Sequence, residues 1–195
     1  PGRPFSVGIL QEMAPGYHTY WRNPGTVGMA TRVTWDLPAG FEAGSIEWPI
    51  PQVTRMSVYN VWGYETNALL AVEIRPPADL TEGETVEIRG TVAWMCCGPQ
   101  CHPGRAEFAL TLPVENEPVP HETWTAAIHR VRAEQPINPA RVGWRISGRL
   151  EAGTYQLTVT PASDAVAHDP GAIRFFGHER QVSSDLGQEV IRDDG

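Results

Sequence analysis

The chain has 195 residues, 41% of them hydrophobic, and its 19 glycines and 18 prolines punctuate it at the density of turns. That profile suits a loop-rich β protein and excludes a coiled coil or a collagen-like fibre. Fifteen Lys+Arg (all Arg) against 23 acidic residues leave a net charge of −8, without the basic footprint that nucleic-acid binding needs.

The longest apolar run, Ala68 to Val72, is far too short to cross a bilayer. No signal-peptide pattern opens the sequence, which therefore reads as a mature, processed chain or an excised segment. Residues 5–113 read as a run of short strands. Val33, Trp35 and Leu37 alternate with Arg32, Thr34 and Asp36, and Pro38-Ala39-Gly40 turns the chain. Trp48-Pro49-Ile50-Pro51 is extended, because a residue before proline is pushed to β or polyproline geometry. Ala68 to Ile74 is a continuous apolar strand stopped by Pro76-Pro77. Several strands at this spacing, with no convincing helix between them, point to a β-sandwich.

The three cysteines, Cys96, Cys97 and Cys101, fall within six residues of one another. Upstream, Val86, Ile88, Val92 and Trp94 alternate with polar or small residues. Downstream, Ala106, Phe108, Leu110 and Leu112 do the same. Both sides predict half-buried strands with even-numbered residues inward, joined by a short loop at Gly98-Pro99-Gln100. On this parity Cys96 points into the core and Cys97 points outward, with Pro103-Gly104 placed to bend the second strand. A three-residue loop leaves Cys97 and Cys101 opposite one another, with Cα atoms roughly 4.5–5.5 Å apart, a span a disulfide can bridge.

Three readings of the cluster stand side by side. As a staple, a five-residue ring stabilises by only about 2 kcal/mol, and the hairpin already ties the two strands. As a reversible dithiol, the pair sits exposed at a hairpin tip, where His102 or Arg105 would lower a thiol pKa if directed at it. As a metal site, Met95, Cys96, Cys97, Cys101 and His102 form a soft donor set that suits Cu(I).

Val114 to Pro120 is an acidic, proline-rich linker. Trp124, Ala127, Ile128 and Val131 follow at i, i+3, i+4 and i+7, predicting an amphipathic helix that packs on a sheet and ends at Gln135-Pro136. Trp144 to Leu150 and Tyr155 to Thr160 read as strands around a turn at Gly153, with Ile173-Arg174-Phe175-Phe176 a further candidate strand. The predicted organisation is a β-sandwich over 1–113, a linker and helix over 114–140, and a second, incomplete β-rich domain over 141–195.

Three stretches resemble the N-terminal periplasmic domain of DsbD/ScsB-type thiol:disulfide interchange proteins, the disulfide bond corrector domain. They are Pro15-Gly16-Tyr17-His18-Thr19-Tyr20-Trp21-Arg22-Asn23-Pro24-Gly25, then Trp48-Pro49-Ile50-Pro51 through Asn60-Val61-Trp62-Gly63-Tyr64-Glu65, and Trp94 with Cys97-x-x-x-Cys101 and Pro103-Gly104. Their order and spacing carry the likeness. The Phe175-Phe176 stretch also resembles the ScsB-like branch, where a second sandwich follows.

The resemblance implies an all-β, immunoglobulin-like sandwich whose cysteine pair acts as a protein-disulfide reductase without a cofactor or metal. A transmembrane domain and a C-terminal thioredoxin-like domain would supply electrons, and thioredoxin-fold periplasmic clients would receive them. The domain would belong to an inner-membrane protein and touch the membrane only through segments outside this sequence. Cys101 would form mixed disulfides and Cys97 would resolve them. Val61, Trp62, Gly63, Tyr64 and Glu65 would form a cap loop over the pair, and His18, Tyr20, Cys96 and His102 would flank it. Cys96, in place of an apolar residue, and Gly98-Pro99, in place of a more polar pair, depart from the pattern. A link to copper tolerance follows from the ScsB-like branch, as does the alternative of a Cu(I)-binding domain. A non-catalytic sandwich with a structural disulfide is the other alternative.

Overall fold

In a computed structural model, the structure describes residues 1–135, 138–163, 172–179 and 182–192. Alternating residues build nine strands in the first 113 positions. These are β1 (Phe5–Glu12), β2 (Thr19–Gly25), β3 (Arg32–Asp36), β4 (Glu42–Glu47), β5 (Gln52–Met56), β6 (Tyr59–Tyr64), β7 (Asn67–Arg75), β8 (Thr85–Cys97) and β9 (Cys101–Pro113). They form three antiparallel sheets, ordered β1-β7-β4, β3-β8-β9 and β2-β6-β5.

The first two sheets face each other as the layers of the sandwich. Val7, Val72 and Ile74 from one meet Ile88 from the other around Phe41, and Trp35, Val86, Leu110 and Leu112 close the margins. Burying each such side chain fully contributes about 1.5–3 kcal/mol, and this cluster is where most of that gain lies. Phe41 reaches it through the expected turn, in which its N–H donates to the Pro38 carbonyl at 3.1 Å. Trp48 to Pro51 links β4 to β5 without joining a sheet.

The ladder between β8 and β9 runs unbroken from Thr85–Pro113 to Cys97–Cys101, through Met95–Pro103. The bend expected at Pro103-Gly104 is absent. Because β9 is an edge strand, a proline there can direct its missing N–H to the open side and cost the ladder nothing.

The helix α1 (Glu122–Ala133) forms as the spacing predicts. It buries Ile128 and Val131 and carries Glu122 in its first turn and Arg130 and Arg132 in its last, charges that suit the helix dipole. It packs on β7 and β1. Arg132 reaches Glu47 at 2.8 Å, and the Gln135 side chain donates to the Trp48 carbonyl at 2.6 Å. Trp124 departs from the expected apolar face and is 43% exposed.

Two compact units divide the chain, Pro1–Gln135 with Phe176–Gly187, and Pro136–Phe175 with Gln188–Gly195. In the second, a short 3-10 helix (Pro139–Val142) is capped by the Asn138 side chain, which accepts the Ala140 N–H at 3.0 Å. It leads into the hairpin of β10 (Trp144–Glu151) and β11 (Thr154–Pro161). Ala152 and Gly153 both have positive φ, 48° and 81°, as a tight hairpin turn of right-handed twist requires. The candidate strand Ile173–Phe176 is not one, since these residues make no ladder. Instead, Phe176 packs edge-on against Trp21 and Trp62 of the first unit, with centroids 6.1 and 5.8 Å away.

Candidate functional site

The even-numbered face of β8 carries Ile88, Val92, Trp94 and Cys96 along the inner side of the sandwich. Toward the cysteine end the two layers part, leaving a cleft of about 490 Å³ lined by Leu10, Met13, Trp94, Cys96 and Phe108 among others. The parity argument puts Cys96 on the correct face, but the cleft leaves its free thiol only half-buried. Burial pushes that thiol's pKa up.

The odd-numbered face is open at Glu87, Arg89 and Ala93, and Cys97 was expected to share that exposure. It does not; Cys97 is 1% exposed. It points away from the inter-sheet core as parity demands, yet a further layer covers it. His18 forms an antiparallel bridge to Cys97, each N–H donating to the other's carbonyl at 2.8 and 2.9 Å. This draws the start of β2 across the end of β8. Tyr20 and Val61, both fully buried, then close over the cysteine, with Val27, Met56 and Met95 packed at the margin.

Cys101, the first residue of β9, is exposed. It stands opposite Cys97 and is bonded to it, with S–S 2.03 Å and Cα atoms 4.0 Å apart, closer than the spacing argument gave. The loop between them needs a glycine at position 98. A Cβ there would lie 2.6 Å from the Gly16 carbonyl oxygen and 2.9 Å from the Tyr17 ring. The turn before β2 thus presses directly on the hairpin tip.

The expected cap loop is strand. Val61, Trp62, Gly63 and Tyr64 lie in β6, and Glu65 begins the turn to β7. Of these only Val61 belongs to the cluster around Cys97. Trp62 and Tyr64 pack with Trp21 and Ala68, and the Tyr64 hydroxyl donates to the Pro49 carbonyl at 2.8 Å. Glu65 accepts the Thr54 hydroxyl at 2.5 Å. Gly63 lets β2 and β6 approach, since a Cβ there would run into the Thr19 carbonyl oxygen.

The residue that touches Cys101 is one the sequence reading missed. Met56, at the tip of the β5–β6 hairpin, brings its Sδ to 4.0 Å from Cys101 Sγ. A disulfide sulfur carries no proton, so this is a packing contact. No turn signature marked the hairpin, because Ser57-Val58 replaces the usual Gly or Asn, and Ser57 adopts φ 58°.

His18 is 2% exposed, its Nε2 has no hydrogen-bond partner, and its ring stands edge-on to Tyr20 at 5.1 Å. Burial lowers its pKa against an opposing pull from Glu65, so the ring is neutral at pH 7. The unpartnered Tyr20 hydroxyl is pushed up to about 12, by burial first and then by Cys96. The register sets His102 across from Cys96, its ring 5.9 Å from Tyr17. Arg105 reaches Glu107 at 3.5 Å, with both side chains exposed. Among the described residues, no group of three or more His, Cys, Asp or Glu is placed to hold a metal ion. None of their helices is long and apolar enough to cross a membrane.

This arrangement leaves one cysteine of a disulfide exposed and the other buried. The comparisons fit such a pair. Residues 1–113 match the family described as thiol:disulfide interchange protein DsbD, N-terminal. The crystal structure of the N-terminal periplasmic domain of ScsB from Proteus mirabilis is similar in fold. It has a TM-score of 0.53 and 18% identity, over 86% of this chain and 79% of that one. No curated protein matches. With the family match spanning more than half of its length, this immunoglobulin-like β-sandwich belongs to the N-terminal domain family of DsbD thiol:disulfide interchange proteins.

Proposed function

We propose that residues 1–113 act as a periplasmic protein-disulfide reductase module. It would pass electrons from a thioredoxin-like domain, fed by a transmembrane domain, to thioredoxin-fold clients through Cys97 and Cys101. The observation that carries this reading is the asymmetry of the pair, with Cys101 exposed and Cys97 1% exposed.

In the charging step a partner thiolate attacks Cys101 Sγ. The Cys97–Cys101 bond breaks, its electron pair goes to Cys97 Sγ, and a mixed disulfide forms at Cys101. The partner's second thiolate then attacks the partner's own sulfur in that bond. Cys101 is released, and after proton uptake both cysteines are thiols while the partner is a disulfide. Reduction of a client runs the same steps in reverse, with Cys101 attacking and Cys97 resolving.

Val61 and Met56 serve as the cap, keeping adventitious oxidants from the reduced pair. Tyr20 stays protonated and places no second negative charge beside the Cys97 thiolate. His18 is neutral and acts by its shape and its backbone bridge rather than by its charge.

A redox titration against a dithiothreitol or glutathione series tests the reading. A reversible two-electron transition above about −300 mV is expected. A potential below that value would make the bond an inert staple.

A further inference from the structure

The described residues of Phe176–Gly187 lie outside the family-matched region yet belong to the first unit. They have no regular secondary structure, and side-chain bonds hold them along β2 and β6. Phe176 wedges between Trp21 and Trp62. The Asn23 side chain donates to the carbonyls of Gly177 and Glu179 at 2.7 and 2.8 Å. Arg22 meets the His178 ring at 2.7 Å.

Farther on, the strap takes hold of a single residue of β6. The Ser184 hydroxyl, on a residue 6% exposed, donates to the Asn60 carbonyl at 2.5 Å and accepts the Thr26 N–H at 3.0 Å. The Asp185 carboxylate accepts the Asn60 N–H at 2.6 Å. Both backbone groups of Asn60 are therefore tied to the strap.

Asn60 holds a strategic place in the ladder. It pairs with Arg55, one rung from the Met56–Tyr59 pair that ends the hairpin. Met56 lies against Cys101, and Val61, next to Asn60, lies over Cys97 together with Tyr20 of β2. Fixing Asn60 fixes the two contacts that the β5–β6 hairpin makes over the disulfide, Met56 on Cys101 and Val61 on Cys97. The β2–β6 ladder reaches only as far as Val61, one residue short of Asn60, so on that side of the hairpin tip the strap supplies the backbone bonds, and hydrogen bonds to a charged group are the stronger kind.

We infer that the strap is a clamp on the cap: Ser184 and Asp185 are positioning residues that hold the β5–β6 hairpin down on the Cys97–Cys101 bond and so set how readily that bond is reached. The inference concerns access to the disulfide and holds whether or not the relay proposed above is its use.

The test is the rate at which dithiothreitol reduces the full chain. Its two thiols close to a cyclic disulfide while Cys97 and Cys101 gain two electrons and two protons. Asp185→Leu removes the acceptor and is expected to raise this rate on the order of tenfold, the scale of one lost charged hydrogen bond. Amide exchange at Met56–Tyr59 should accelerate with it. Asp185→Asn keeps a side-chain oxygen for the Asn60 N–H and should stay within about twofold of the parent. Should Asp185→Leu fail to fold, Ser184→Ala carries the same test with the same sign. A folded Asp185→Leu or Ser184→Ala protein reduced at the parental rate overturns the clamp, even if amide exchange has sped up. Equal acceleration by Asp185→Asn and Asp185→Leu also overturns it. Failure of the relay would show instead as a potential below the exchange range, with these rate ratios unchanged.

Discussion

The hairpins β8–β9 and β10–β11 are both regular antiparallel ladders, and both follow an alternation visible in the residues. They end in opposite physical situations. On the first, Ile88 is 0% exposed within a core drawn from six strands and their connections, and Cys97 at the tip is covered by residues from β2 and β6. On the second, Leu150 is 61% and Leu157 43% exposed, and every β10 residue after Trp144 is open to solvent. A ladder fixes register locally, whereas burial and chemical character come from whatever the rest of the chain lays on top. The cysteine hairpin differs from the other through its cover.

The contrast breaks most directly through stability. Ile88→Ala should cost about 2–5 kcal/mol, transfer and cavity terms together, while Leu150→Ala should stay within about 0.5 kcal/mol. Denaturant midpoints measure both, and similar losses at the two sites would contradict the comparison.

A smaller effect resides in the cover over Cys97. His18 has its folded pKa lowered by burial from the ordinary 6.5, so below that pH the unfolded chain binds more protons than the folded one. Its contribution is therefore complete above pH 6.5 and is lost as the pH falls through the folded value, at most about 1.4 kcal/mol per unit of pKa difference. Urea midpoints at neutral and mildly acidic pH should show this decline, and His18→Gln should flatten it. An unchanged slope in that variant would contradict the assignment.

The smallest expected effect separates neighbours. In the reduced protein Cys96, half-buried and with a raised pKa, should alkylate more slowly at neutral pH than exposed Cys101. Peptide mapping after timed iodoacetamide labelling reads the order, and equal rates would contradict the placement of Cys96 in the cleft.

What was legible in the sequence was local. Val86 to Trp94 and Ala106 to Leu112 announced β8 and β9 by a period of two, and the three residues between them set Cys97 against Cys101. Ile128 and Val131 announced the buried face of α1. What stayed hidden depends on distant segments meeting. Cys97 is buried because His18 bridges to it from about eighty residues upstream, which no alternation within β8 records. Ser57-Val58 turns a hairpin without the residues that usually mark one, so the contact of Met56 with Cys101 left no local signal. The strap has no period at all, and only its bonds to Asn23, Thr26 and Asn60 reveal it. The roles proposed for the cysteines rest on the family resemblance, because spacing alone left exchange, staple and copper open.

Which sulfur takes the incoming group is the account's central claim. In a Cys96→Ala background, reduced Cys97→Ser and Cys101→Ser proteins are each exposed to oxidised glutathione, and the mixed disulfide is followed by mass. Rapid addition at Cys101 in the first protein and slow addition at Cys97 in the second is the predicted result. Addition to Cys97 as fast as to Cys101 would contradict it, because a sealed sulfur and an open one cannot react alike.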